Sequence, residues 1–430
     1  MDEKARYIIV GAGLTGLSAA YHLGDEYIIF EKEDSVGGLC RTVHKEGFYF
    51  DFSGHLLHLR DEYTKQLVAS LLPDKFREHH RWAHIHYHNR TVPFPFQANL
   101  SALPPDAKKE CLLGFIYSYC NRKEKSIGTF EEWVHAYLGE GLARHFFVPY
   151  NTKLYGDSLK NLTPEWCDWF VPKPSLEETV DGALGDQTRD FGYNINFLYP
   201  RQGGIQILAD AIAQKVHNLI LGVSVGTVCW KEKELETVSG ERYGYERLIS
   251  TMPLPELVNA LDPLPRELRE AGLVLRWRAV HCINIGVKKT GGPTSHWAYF
   301  PEEDFVFYRV GFIHNICERS VPEGCSAYYI EIASDPHEDV DVEELTGRSI
   351  EDFNKVGILE GGDDIVAVQY LPMPCAYVVY DHVRPAAVQT IKEFLEQHDI
   401  HSVGRYGGWK YSTMEDALLD GKSIAERLKS

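Results

Sequence analysis

The stretch that decides the fold is Tyr7–Thr42, YIIVGAGLTGLSAAYHLGDEYIIFEKEDSVGGLCRT. Four apolar residues, Tyr7 to Val10, read as a buried strand that breaks straight into Gly11-Ala12-Gly13-Leu14-Thr15-Gly16, and good helix formers continue to Leu23. Each glycine has its own task. Gly11 makes the tight turn, Gly13 lets backbone approach a pyrophosphate, and Gly16 lets the helix pack close to the strand. The helix opening at Leu14 and Thr15 then offers free N–H groups and a partial positive charge to the phosphates. A second strand, Tyr27 to Phe30, ends in Glu31, near the offset of about 20 residues at which an acid accepts the ribose hydroxyls of a dinucleotide.

The residues just downstream select the dinucleotide. Glu31-Lys32 runs through Gly37-Gly38-Leu39 to Arg41, so a second pair of glycines and a basic residue give the phosphates a second close approach. That pattern favours FAD held permanently over an NAD that comes and goes, against a glycine-rich βαβ unit with no ligand.

Composition narrows the partners. In 430 residues, 44% hydrophobic and 25% charged, 44 Lys+Arg stand against 62 Asp+Glu, a formal charge of -18. Such a balance argues against nucleic acid or an anionic membrane as partner, and an anionic substrate then requires a local basic pocket. The nine cysteines are odd in number and lack CxxC spacing, so neither a zinc site nor a disulfide framework is expected, and no metal is assigned. The first strand begins within a few residues of Met1 and no apolar run reaches membrane-spanning length, which points to a cytoplasmic protein with no membrane span.

Along the chain, Gly47 to Phe52 alternates like a strand and delivers Ser53-Gly54-His55, where a loop can bend beneath a flavin ring; a histidine capping a turn is the plainer alternative. His84, His86 and His88 fall at alternate positions and are expected on one face of a strand, with packing favoured over metal binding because no Cys, Asp or Glu nearby completes a shell. Phe94, Phe96 and Gln97 pair rigid aromatics with an amide that can read a base edge, although aromatics between prolines are more often packing than a base-binding platform. From about Ala102 to Leu176 helix formers dominate, Thr129 reads as an N-cap, and Tyr150, Asn151 and Tyr155 bring polar groups among aromatics as in a pocket wall. Pro172-Lys173-Pro174-Ser175 reads as a lid loop.

Alternation then returns, with Val225 expected as a backbone contact to adenine. Long alternating stretches between Gly272 and Ala333 indicate an antiparallel sheet with one covered face, and Gly404 to Met414 opens a last helix toward the flavin. The expected architecture is α/β: a discontinuous Rossmann-like FAD-binding domain (1–75, 196–255, 376–430), a mainly helical substrate and lid insertion (76–195), and an antiparallel sheet substrate domain (256–375).

Read together, EGFYFDFSGH, VPFPFQAN, FEEWV, VPYNTKLYG, FGYNINFLYPRQGG, LISTMP, WAYFPEEDFVFYR and GRYGGWKYS make the chain similar to the UDP-galactopyranose mutase family, and to its eukaryotic-type branch more than to the bacterial one. Flavin oxidases of the amine oxidase and protoporphyrinogen oxidase type share the first motif and a similar last one. The resemblance implies a pyranose–furanose interconversion of UDP-galactose or a related nucleotide sugar, in which N5 of reduced flavin attacks the anomeric carbon while UDP departs and returns. NAD(P)H or another reductant would prime the FAD, and a homodimer is compatible with the family. By that resemblance Arg309 and Arg405 are the cations of the diphosphate, and Tyr299, Tyr377 and Tyr411 its hydroxyl donors. Phe94, Phe96 and Gln97 become the uracil wall, with Tyr150, Asn151, Tyr155 and Asn194 lining the same cavity. His55 becomes the histidine beneath the isoalloxazine, and Gly54, Gly404, Arg405, Tyr411, Ser412 and Met414 join the flavin contacts.

Three positions depart from the family pattern. Phe170 stands where a lid arginine is expected, Ile316 where a phosphate-contacting tyrosine is expected, and Thr413 where the bacterial enzymes have aspartate. Loss of the first two contacts costs on the order of 2 to 4 kcal/mol of affinity unless replaced, and Lys173 is the expected replacement cation.

Overall fold

The computed structural model describes residues 3–122, 127–185, 189–192, 195–361 and 363–429. In its first sheet, β1 (Glu3–Val10) runs parallel to Arg242–Ser250 on one side and to β2 (Tyr27–Phe30) on the other. Tyr7 to Val10 are at most 6% exposed, as a strand covered on both faces requires. Strand alternation splits this run between two cores. Tyr7 and Ile9 pack with Leu17 of α1 (Leu14–Leu23), whereas Ile8 and Val10 pack with Leu248, Leu254 and Ile391.

Beyond β2 lies Leu219–Ile220; beyond Arg242–Ser250 lie Glu234–Thr237, Val225–Cys229 and Leu261–Asp262, while Ile400–Ser402 pairs beside Arg242–Ser250. The chain therefore returns to this sheet twice, once after the helical region and once near its end. The C-terminal helix Met414–Lys429 lies against α1 so closely that a Cβ added to Gly421 would stand 2.4 Å from the Thr15 carbonyl oxygen. The run from Leu219 to Trp230, strand-like throughout in sequence, is divided in two around Gly222, which takes φ +71°.

The second sheet is ordered Ile365–Val378, Trp277–Val287, Ser326–Ser334, Arg309–Phe312, Trp297–Tyr299, Ala83–Tyr87, Arg90–Pro93, and all neighbours are antiparallel except Trp297–Tyr299 with Ala83–Tyr87. Residues 83–93, grouped by sequence with the helical insertion, thus join this sheet. Their alternation explains it, since Ala83, Ile85 and Tyr87 are buried and supply one more covered sheet face. His84 and His86 share a strand face as expected, but His88 does not join them. His84 stacks on Phe312, His86 Nδ1 lies 3.0 Å from Glu302, and His88 has left the strand at φ +45° to form the hairpin turn with Asn89. Among the described residues no group of three His, Cys, Asp or Glu is arranged to hold a metal ion.

Helices Pro105–Asn121, Phe130–Tyr137, Val148–Tyr155, Cys167–Phe170 and Leu176–Leu184 form the intervening layer. Thr129 caps the second of them in a reciprocal capping box with Glu132, and Ser175 caps the last with Glu178. None of the described helices is long and apolar enough to cross a membrane.

Candidate active site

A cavity of about 580 Å³ runs from the Gly11 turn, between the two sheets, to Arg405. At its inner end two glycine turns face each other. Gly11 takes φ +98°, and a Cβ there would lie 2.2 Å from Thr251 Oγ1. A Cβ on Gly38, itself at φ +59°, would stand only 3.4 Å from the Gly13 Cα, so backbone and not side chain walls this slot. Leu14 and Thr15 at the start of α1 and Leu39 after the second turn also line it. Gly16 does not. It sits behind the turn, where a Cβ would meet the Gly11 carbonyl oxygen at 1.9 Å, the helix-packing task read from the sequence.

Glu31, Lys32 and Val225 also line the cavity, and the Val223 N–H donates to the Glu31 carbonyl at 2.9 Å. The Glu31 carboxylate accepts the Ala12 N–H at 2.6 Å and the Glu33 N–H at 3.0 Å, which fixes it across the mouth of the turn with lone pairs left over. Arg41 is on this wall too, but its charge is met by Glu33 at 2.8 Å and its Nε donates to the Gly38 carbonyl at 2.9 Å.

At the outer end, His55, Tyr299, Arg309, Tyr377, Arg405 and Tyr411 line the same space, with Gly54, Gly404, Ser412 and Met414 also on the wall. Gly404 lies against α1, where a Cβ would stand 2.7 Å from Thr15 Oγ1. Arg405 donates to the carbonyls of Ser412 at 2.8 Å and Ala376 at 2.9 Å, and its guanidinium carbon lies 4.7 Å from the Tyr411 ring centroid and 5.7 Å from that of Tyr377. No described carboxylate forms an ion pair with it. Arg309 differs, because Nε and Nη2 grip both oxygens of the buried Glu331 at 2.6 and 2.7 Å. Burial opposes the charge on Glu331, yet Arg309 outweighs it and holds the carboxyl below the usual range.

Burial, reinforced by the charge of Arg405, pushes His55 down to about 4, so its imidazole is neutral near pH 7. Burial likewise raises the phenols of Tyr299 and Tyr377, partly offset by Arg309, and both keep their protons as donors. His55 Nδ1 and Ser412 Oγ are buried without a protein partner, and both belong to residues on the cavity wall. Such orphaned groups, in one cavity with two facing glycine turns and the Glu31 carboxylate, are what a flavin dinucleotide would satisfy.

The remaining candidates are not on this wall. Tyr150 and Phe94 both pack on Tyr299, at 5.5 and 5.4 Å between centroids, and form the layer behind it. Phe96 is fully buried and stacks on Phe146, Gln97 donates its amide to the Pro172 carbonyl at 2.6 Å, and Asn151 donates to Phe147 O at 2.8 Å within its own helix. Gln97 therefore holds the loop at Pro172, and its amide nitrogen is engaged by backbone. Tyr155 is buried against Trp166. Asn194 lies outside the described residues. Lys173 is exposed and does not line this cavity, and its ammonium lies 5.2 Å from the Tyr137 ring centroid and 5.7 Å from that of Trp133 instead of at the position expected of a replacement cation. Phe170 places its ring 4.4 Å from Tyr411, an apolar cap where a cation was expected. Ile316 is buried beside Asp51 and Tyr199, in a small void that shares Ser53, Gly54, Leu56 and Tyr329 with the wall of this cavity. Glu331, Tyr308 and Tyr329 line the cavity without having been singled out; the one signal was a glutamate inside the apolar run Ala327 to Ile332.

This fold and site define a flavoenzyme. The chain belongs to the flavin containing amine oxidoreductase family, whose model matches residues 14–429. Within that broad group it is similar in structure to UDP-galactopyranose mutase: a crystal structure of the reduced mutase superposes with a TM-score of 0.93 at 26% identity, covering 99% of this chain and 95% of that one. A cofactor-binding mutant of putrescine oxidase shares the fold alone, with a TM-score of 0.65 at 16% identity over 99% of both chains. A 4,4'-diapophytoene desaturase of Staphylococcus aureus is 41% identical over 64 residues, 14% of this chain and only 13% of the desaturase's own length.

Proposed function

We propose that the protein is an FAD-dependent sugar-nucleotide mutase of the eukaryotic type, acting in the cytoplasm on UDP-galactose or a related nucleotide sugar. The observation that supports this most is the convergence of Arg405, one edge of Arg309 and the phenols of Tyr299, Tyr377 and Tyr411 at one end of a dinucleotide-sized cavity. Reduced flavin supplies the electron-rich nucleophile that an anomeric carbon needs, with NAD(P)H or another reductant as its source. Arg405 bears the charge that holds a departing diphosphate close enough to return, while the phenols hydrogen-bond its oxygens. Neutral His55 adds a hydrogen-bonding group to the flavin side without adding charge. Phe170, closed over Tyr411, keeps water from the reacting carbon.

Membership in the amine oxidoreductase family favours a second reading, in which the same flavin accepts a hydride from substrate. One experiment separates them. Dithionite-reduced protein is incubated with UDP-galactopyranose and a panel of other nucleotide sugars. The mutase reading expects furanose product with no reductant consumed per turnover. Oxygen uptake matched to oxidation of an amine or porphyrinogen, with no isomer from any sugar, would establish the second.

A further inference from the structure

Glu331 sits directly opposite Arg309 in the pairing of Arg309–Phe312 with Ser326–Ser334 and is wholly buried. Its two oxygens are shared among three donors. Arg309 Nε takes one at 2.6 Å, Arg309 Nη2 takes the other at 2.7 Å, and the Ser53 hydroxyl donates to that second oxygen as well. Arg309 Nη2 also points at Ser53 Oγ, at 3.4 Å. Of the guanidinium nitrogens, Nη1 alone lacks a protein partner among the described residues, on a side chain that lines the cavity.

Two residues back on the same strand face, Tyr329 continues the platform. A Cβ on Gly54 would meet the Tyr329 hydroxyl at 2.3 Å, and one on Gly311 would meet its ring at 1.8 Å. The Ser53-Gly54-His55 turn is thus seated on Tyr329 and Glu331, and Arg309 is gripped by the same carboxylate.

We propose that Glu331 is a positioning residue that sets both halves of the site at once, presenting one edge of Arg309 to an anionic ligand and seating the turn that carries His55 against the flavin. The first half rests on the mutase reading, because it takes the ligand to be a nucleoside diphosphate. The second half rests only on the flavin.

The test uses flavin-loaded protein and three variants, E331Q, E331D and S53A. E331Q keeps the length of the side chain and removes its charge, whereas E331D keeps the charge and withdraws the carboxylate by one methylene. UDP affinity is measured by calorimetry and the flavin environment by visible circular dichroism. The expected result is UDP binding at least five-fold weaker in E331Q and E331D and a changed flavin band in E331Q and S53A, with S53A binding UDP within two-fold of the unaltered protein. Lower melting temperatures for both Glu331 variants, with UDP affinity and the flavin band unmoved, would show a merely structural role and overturn the proposal. Should E331Q not fold, E331D and S53A carry the same two readouts. Absence of UDP binding to the unaltered protein would count against the mutase reading instead, and the flavin band alone would then decide for or against Glu331.

Discussion

Arg405 and Arg309 look equivalent in the sequence, yet their surroundings give them different work. The Arg309 charge is cancelled within hydrogen-bonding distance by Glu331, while Arg405 is braced only by two backbone carbonyls and the faces of tyrosine rings. A braced guanidinium with no countercharge is the stronger attractor for a diphosphate. Arg405→Met should therefore weaken UDP binding by about 1.5 to 3 kcal/mol, roughly 10- to 150-fold, the usual weight of a hydrogen bond to a charged group. Calorimetric titration checks this, and UDP affinity unchanged in Arg405→Met would remove Arg405 from the diphosphate site.

Among the elements, the strand, glycine turn and helix from β1 to α1 carry the tightest geometric demand. A methyl at position 16 would collide with the Gly11 carbonyl oxygen at 1.9 Å, and since the Cβ position is fixed by the backbone and the oxygen is itself backbone, neither can rotate away. Gly16→Ala should accordingly cost about 1 to 3 kcal/mol of stability and lower the flavin content of purified protein. Gly347→Ala is the matched control, since it lies in the helix Val342–Lys355 with open space around it and should be neutral or slightly stabilising. Equal flavin content and equal melting temperatures in the two variants would contradict this account of the turn. The turn was legible in sequence because everything that fixes it lies within about 25 residues: glycine positions, apolar run, and Glu31 at its offset. The outer site was legible only in part. That Arg405 and Tyr411 belong together came from the family resemblance of GRYGGWKYS, but Lys173 finds Trp133 and Tyr137 on a different helix, and Arg309 finds a carboxylate one strand away. Residues 83–93 read ambiguously for a related reason. Their alternation marked a strand but carried no information about which sheet would receive its covered face.

Over the whole molecule, the histidines give the acid side of stability its shape. His296 and His401, each 9% exposed, are both pushed by burial to about 4, as are the half-buried His55 and His84. Two of them have a further reason to stay neutral. His296 Nδ1 accepts the Trp82 N–H at 3.1 Å and His401 Nδ1 pairs with the Arg427 guanidinium at 3.2 Å, so a proton there would break a hydrogen bond as well as bury a charge. The unfolded chain protonates its histidines near 6.5, and the folded chain holds these four neutral until about 4. Between those values the unfolded state binds more protons, so stability is full above pH 6.5 and is lost as pH falls toward 4. Asp51 acts in the opposite sense over part of this window, because burial raises its carboxyl to about 6 and the folded state takes up its proton first. The four histidines outweigh Asp51 over this window, so the net slope is a loss. Urea unfolding at intervals from pH 7.5 to 4.5 should show the midpoint declining over this range. The doubly substituted His296→Gln, His401→Gln protein should decline less steeply, because neither glutamine titrates. An identical pH slope in that variant would mean that these two histidines already carry their protons in the folded chain, and the neutral surroundings assigned to them would be wrong.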